Sequence, residues 1–436
     1  MTMSSIPQSP PLPAPAPSWL HGQRILTWGG FTLALALAPW LFNSNASVSF
    51  LSQMATLIVF CLSYNMLMGQ TGLLSFGHSL YSGMGGFFAI HAMNWFATDG
   101  FKLPLPLVPL VGGAAGLVLG IVFGYVMTRK AGIAFAMITL GLSELTHTFA
   151  QMFSGFFGGE GGVNANRAYS EILPGINFGP PIQTYYLIAG WTLVCTVAMF
   201  AITHTPLGRM ANAVRDNPER AEFVGFDTQV VRYLMVLVST FFAGIAGALA
   251  AINYEIISTE SLGLAQSGEA VLFTFIGGAG SFVGPIVGAV VGALLSVKLS
   301  DYSAAWLMYL GVFFIGIVLF APGGITGIAS AAARTVRSGH LALLAPAWSR
   351  LALACTTALF GLVIVVELGY ALKFGAKSAQ VKALLSTMSA PGLWALGATG
   401  IVLLMTGCWG AYRAHLAQQR VMAEIQSKTQ GLEAHS

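Results

Sequence analysis

The sequence predicts an all-α fold: a polytopic transmembrane helical bundle with broken or re-entrant helices, about eight core spans and two further C-terminal spans. Three observations predict it. Of 436 residues, 56% are hydrophobic and only 8% charged, where a soluble domain carries about a quarter charged. Eleven apolar runs, each near the roughly 17 to 25 residues that cross a bilayer, follow one another along the chain. The runs lack the alternation of an outer-membrane barrel, and an open sheet would leave its backbone unpaired in lipid. The 19 Lys and Arg, with a net charge of +4, are scattered between runs. That pattern makes the lipid bilayer a partner and argues against nucleic acid.

Taken in order, residues 1–23 are proline-rich (PQSPPLPAPAP) and read as a disordered tail. No charged segment precedes Arg24, so a cleaved signal peptide is not expected. The core unit, 24–335, holds runs at 25–42, 48–68, 73–96, 105–127, 133–153, 184–203, 230–252, 271–297 and 304–320. An extension over 336–412 holds runs at 351–372 and 391–412, and 413–436 is a polar cytoplasmic tail that suits a short amphipathic helix. Cys61, Cys195, Cys355 and Cys408 each lie inside a run without metal-ligand spacing. They read as small hydrophobes, and no metal or cofactor site is expected.

Arg24, Arg129, Lys130, Arg209, Arg215 and Arg220 fall on one side if each run crosses once, and that side is the cytoplasm. Placing Arg334 and Arg337 there as well needs an odd number of crossings after residue 252, although two runs intervene. Run 271–297, interrupted by Gly277, Gly278, Gly280, Gly284 and Pro285, is the one expected to be broken. Lys373, Lys377 and Lys382 then fall outside, against the rule.

A second glycine-rich break, LMGQTGLLSFGHSLYSGMGG, occurs near residue 70. Interrupted helices at corresponding places in two halves mark a midplane pathway in transporters. The candidate pathway residues are Asn65, Gln70, Gly72, Ser75, Gly77, His78, Gly277, Gly280 and Gly284, with Thr71 beside them. The competing reading is that small residues only let helices pack closely. Glu144 lies within a run with His147 one turn later, a polar pair at membrane depth. The Gly-rich loop 157–167 connects spans on the outside or touches a partner there. For Arg232 and Glu367, snorkelling or pairing suffices.

The longest charged interval, 204–229, reads HTPLGRMANAVRDNPERAEFVGFDTQ and suits one or two short surface helices broken at Asn217-Pro218. This interval, the later FFAGIAGALAA and FIGGAGSFVGPIVGA, the earlier NMLMGQTGLLSFGH and the final FAPGG stand in one order that resembles the permease subunit of branched-chain amino acid ABC importers, the LivM type. The resemblance covers about residues 50 to 330. It implies that 24–335 is a permease domain in a bacterial inner membrane, and that Gly208, Arg209, Arg215, Asp216, Asn217, Ala221 and Gly225 form an ATPase-coupling region. It also implies ABC ATPase subunits, a second homologous permease and a periplasmic substrate-binding protein as partners.

No Walker-type phosphate loop, Gly-x-Ser-x-Gly, His-Glu-x-x-His or paired carboxylates are present. The expectation is a transport subunit with no catalytic residues, no metal and no cofactor, ATP being used by the partner. The alternative is a secondary transporter or channel driven by an ion gradient, with Glu144 and His147 as a proton-linked pair. The substrate is left open among branched-chain amino acids, urea, amides and aromatic acids.

Overall fold

The computed structural model describes residues 19–42, 44–98, 103–169, 177–321, 323–337, 341–374 and 390–433. Sixteen α-helices occur among them. The first five are α1 (Trp19–Leu41), α2 (Asn45–Thr71), α3 (His78–Thr98), α4 (Val108–Met127) and α5 (Ile133–Met152). The one-turn α6 (Ser154–Phe157) and α7 (Pro181–His204) come next, followed by the short α8 (Pro206–Asp216) and α9 (Pro218–Phe223). Then follow α10 (Thr228–Tyr254), α11 (Leu264–Gly277), α12 (Gly284–Tyr302), α13 (Trp306–Phe320), α14 (Gly324–Arg337), α15 (Leu341–Phe374) and α16 (Ala390–Glu433). The only sheet among the described residues pairs β1 (Val163–Asn164) with β2 (Ile256–Ile257), antiparallel. Eight helices, α2, α4, α5, α7, α10, α12, α15 and α16, are long and apolar enough to span a membrane. The expected tail boundary shifts, because residues 19–23 already belong to α1; residues 1–18, and Lys377 and Lys382, lie outside the described residues.

The core forms around α10, which lies against α2, α3 and α4. Backbone rather than side-chain volume sets these contacts. A Cβ on Gly244 would stand 2.2 Å from the Gly112 carbonyl oxygen, and one on Gly247 would stand 1.7 Å from that of Ser82. Lipid tails are as apolar as leucine, so close approach of backbones supplies the packing energy that burial supplies in water.

Both expected breaks are present. Helix α2 ends at Gly72, whose φ of +70° is open to glycine at low cost. Residues 73–77 form no helix, so run 73–96 divides into an unwound segment and α3. That segment turns back beside α5: the Phe76 amide donates to Thr139 Oγ1 at 3.1 Å. It delivers His78 to Ser63, well inside α2.

Run 271–297 is a hairpin rather than a kinked span. Helix α11 starts seven residues earlier than the apolar run, at Leu264, and its 14 residues cover about 21 Å, too short for a hydrocarbon core of about 30 Å. The hairpin is antiparallel: a Cβ on Gly277 would meet Gly284, and one on Gly288 would meet the Phe273 carbonyl oxygen. Helix α13 then comes back to the same turn, where a Cβ on Gly278 would stand 2.2 Å from the Gly323 carbonyl oxygen. The chain thus runs to this turn in α11, away from it in α12 and back to it in α13.

Helices α15 and α16 form a second antiparallel hairpin, with Gly361 against Gly400 and Gly407 against Ala358. It touches the core where Tyr309 Oη donates to Glu367 Oε1 at 2.9 Å. Residues after 412 continue α16 through Glu433.

Gly244→Leu is expected to cost about 1–3 kcal/mol of overpacking strain and to lower the apparent melting temperature of the detergent-solubilised chain. Gly190→Leu, at a site with nothing within 4 Å of an added Cβ, is expected to stay within about 0.5 kcal/mol of the parent.

Candidate functional site

The elbow α8–α9 is built by local chemistry. Thr205 caps α8, its Oγ1 accepting from the Gly208 amide at 3.4 Å, with Pro206 at the first helical position. Gly208 is buried where any Cβ would stand 2.5 Å from the Thr203 carbonyl oxygen, so the turn from α7 into α8 excludes a side chain. Asn217 ends α8 and starts α9, its Oδ1 accepting from the Arg220 amide at 2.9 Å. Ala221 is buried beneath α9, and Gly225 holds a φ of +97° on the way to α10. Gly208, Asn217, Ala221 and Gly225 thus shape the elbow. The outward face carries Arg209, Glu219, Arg220 and, less expectedly, Phe223 and Val224, which are 91% and 70% exposed. The sequence reading passed over these two apolar residues, although an aromatic beside alternating charges was the signal.

The elbow is bonded to the first break. Arg215 Nη1 donates to the Gly69 carbonyl oxygen in the last turn of α2. Its aliphatic stem lies over Gly72, where an added Cβ would be 3.0 Å from Cγ. Asp216 holds the other edge of the guanidinium at 3.0 Å. Asn212 Nδ2 adds a bond to Gln70 Oε1 at 3.1 Å. A cation on the last carbonyls of a helix also meets the negative end of its dipole.

The second break joins the same place. A Cβ on Gly69 would stand 2.6 Å from the Ala279 carbonyl oxygen. Thr326 of α14 donates to the Gly277 carbonyl oxygen at 2.8 Å and pairs with Ser281 at 2.9 Å. Gly69, Gly72, the turn 278–283, Gly323 and Arg215 are therefore one continuous contact. Gly284 lies inside it, while Gly280 sits on its exposed edge with nothing within 4 Å of an added Cβ.

The other candidate pathway residues lie deeper. His78 is fully buried, its Nε2 2.8 Å from Ser63 Oγ and its ring among Phe60, Tyr64 and Tyr81. Ser75 is buried and accepts from the Gly77 amide at 3.3 Å. Thr71 Oγ1 donates to the Leu67 carbonyl oxygen at 2.6 Å. Asn65 Oδ1 and His78 Nδ1 are buried without a partner among the described residues. Ser79, Ser143 and Ser267 meet around the Leu262 carbonyl oxygen and tie α3, α5 and α11 together. Glu144 is exposed on α5, while His147 is half-buried and pairs with Gln151 at 3.3 Å.

The outer loop is a bonded strut. Arg167, its side chain 13% exposed, donates to the carbonyl oxygens of Phe178, Gly179 and Asn253 at 3.0–3.1 Å. Its amide donates to Glu255 Oε1 at 3.0 Å, beside the β1–β2 pair that closes the same junction.

Residues 47–323 match the sequence model of the family described as branched-chain amino acid transport system / permease component. The high-affinity branched-chain amino acid transport system permease protein LivM of Salmonella typhimurium is 26% identical over 319 residues, 67% of this chain and 73% of the relative. LivM of Escherichia coli is 25% identical over the same shares. BraD of Pseudomonas aeruginosa, named for the same kind of system, is 24% identical over 292 residues, 63% of this chain and 92% of the relative. No solved structure matches. With most of its length inside the family match and eight helices fit to cross a membrane, the chain belongs to the branched-chain amino acid transport permease family and is a multi-pass inner-membrane protein.

Proposed function

We propose that the chain is one permease subunit of an ATP-driven importer of branched-chain amino acids, coupled through α8–α9 to a separate ABC ATPase. The observation that carries this reading is the Arg215 contact. A surface elbow on the cytoplasmic side is hydrogen-bonded to the unwound end of a core helix, and through it touches the second glycine turn. A push on the elbow moves both breaks, which is what conversion of an ATPase closing motion into alternating access requires. A second permease completes the pathway, and a periplasmic binding protein delivers the amino acid. The names of the relatives support the substrate, and the chain's own partners are those the family implies. The C-terminal hairpin lies outside the family match and rests on the core through Tyr309 and Glu367; it serves as a peripheral brace.

Phe223 is the docking anchor in this reading, and burying such a ring is worth about 1.5–3 kcal/mol. Purification of the tagged chain from its native membrane is expected to recover an ABC ATPase and a second permease. Phe223→Asp is expected to reduce ATPase recovery by at least about tenfold at that free energy, with the permease still monodisperse. An ATPase absent from the parent preparation overturns the reading.

Arg215→Glu separates coupling from docking. Its carboxylate faces the Gly69 carbonyl oxygen in place of a donor, so leucine uptake in reconstituted vesicles is expected to collapse. The mutant should still bind the ATPase, because Phe223 and Val224 are untouched. Uptake at the parental rate contradicts the coupling role.

A further inference from the structure

A cavity of about 230 Å³ lies between α2, α3, α10 and α11, far above the roughly 15 Å³ that one water needs. Its polar lining comes from all four walls: Gln53 and Thr56, Ser82, Tyr254, and Gln266 and Glu269. Leu57, Phe60 and Ala250 supply apolar surface. Tyr254 and Ile256, both exposed, stand at its rim. None of the nine pathway residues expected from the sequence lines it, and Glu269 escaped notice because it precedes the apolar run.

The side chains of Gln53, Ser82, Gln266 and Glu269 make no hydrogen bond or ion pair among the described residues. Arg167 pairs with Glu255 and Arg215 with Asp216, neither of them at the cavity. No Lys, Arg or His lines the cavity. A carboxylate among apolar helices is costly unless a cation or several donors meet it, and this one faces an open space rather than a protein partner.

We propose that this cavity is a binding site for the ammonium group of a small amino acid, with Glu269 as its counter-charge. Gln53, Ser82 and Gln266 take the remaining polar atoms of the zwitterion, and Leu57, Phe60 and Ala250 take an aliphatic side chain. The choice of an amino acid rests on the import reading; the choice of a cationic head group rests on Glu269 alone. The site lies within one subunit, beside the Arg167 strut and on the outer side of the Ser79–Ser267 junction, where solute coming from outside is first held.

The test is binding of four probes to the full chain with its co-purified partners in lipid nanodiscs: L-leucine, methylammonium chloride, N-acetyl-L-leucine and sodium chloride. L-leucine and methylammonium are expected to bind, whereas N-acetyl-L-leucine, which lacks the ammonium, is not. Glu269→Gln should weaken both by more than tenfold at unchanged size-exclusion profile. Gln266→Leu, which keeps the carboxylate, should weaken leucine several-fold and methylammonium less, and it carries the test if Glu269→Gln does not fold. Equal binding of N-acetyl-L-leucine, undiminished binding in Glu269→Gln, or sodium binding that displaces leucine each overturns the assignment. Co-purification of the ATPase without binding of leucine or methylammonium sinks the cavity site and leaves the importer standing. Binding of methylammonium through Glu269 in a chain that purifies without an ATPase does the reverse.

Discussion

Backbone amides and carbonyls have no water to turn to at membrane depth, and this structure is organised around the places where its helices nevertheless come apart. Each unwound stretch is partnered by protein. Thr139 takes the Phe76 amide, Thr326 takes the Gly277 carbonyl oxygen, and Arg215 takes that of Gly69. Where no donor reaches, backbones approach so closely at glycine that no side chain fits, as at Gly277 against Gly284 and Gly278 against Gly323. The breaks are therefore built joints whose partners come from other helices.

That arrangement links chemistry to motion. Joints satisfied by neighbours shift only when those neighbours shift, and one neighbour of the first joint is the α8–α9 elbow. A single guanidinium, held by Asp216 on one edge and Gly69 on the other, bonds α8 to the end of α2 and is the link on which the proposed coupling rests. The outer ends of α7 and α10 are meanwhile tied by Arg167, a fixed point against which the inner ends can move.

Much of this was legible in the sequence where chemistry is local. Glycine and proline announced both breaks, and Asn217-Pro218 announced the division of the elbow, because those residues change backbone preference in place. The parity of positive charges singled out run 271–297 as a broken one, and that stretch lies in the α11–α12 hairpin. What was not legible depends on distance or on faces. LLSF reads as the start of a span, yet Gly72 and the Thr139 bond hold it unwound. The polar residues Gln266, Ser267 and Glu269 hid the beginning of α11 from a search for apolar runs. That Arg215 reaches a carbonyl 146 residues away, or that Glu144 faces outward while Glu269 faces a cavity, follows only from packing. The resemblance singled out Gly208, Asn217, Ala221 and Gly225, and in the structure these residues shape the α8–α9 elbow while Phe223 and Val224 are its exposed tip.

The α8–α9 elbow and the second glycine turn meet through Gly69 and Arg215 and are expected to move as one body. Spin labels at Ala213 and Gly280, both exposed, measure it directly by pulsed dipolar spectroscopy in the assembled transporter, without nucleotide and with ATP trapped. The same Ala213–Gly280 distance is expected in both states, while the distance from Ala213 to a label at exposed Trp95, near the C-terminal end of α3, changes. A change in the Ala213–Gly280 distance beyond the spread of the labels would contradict it.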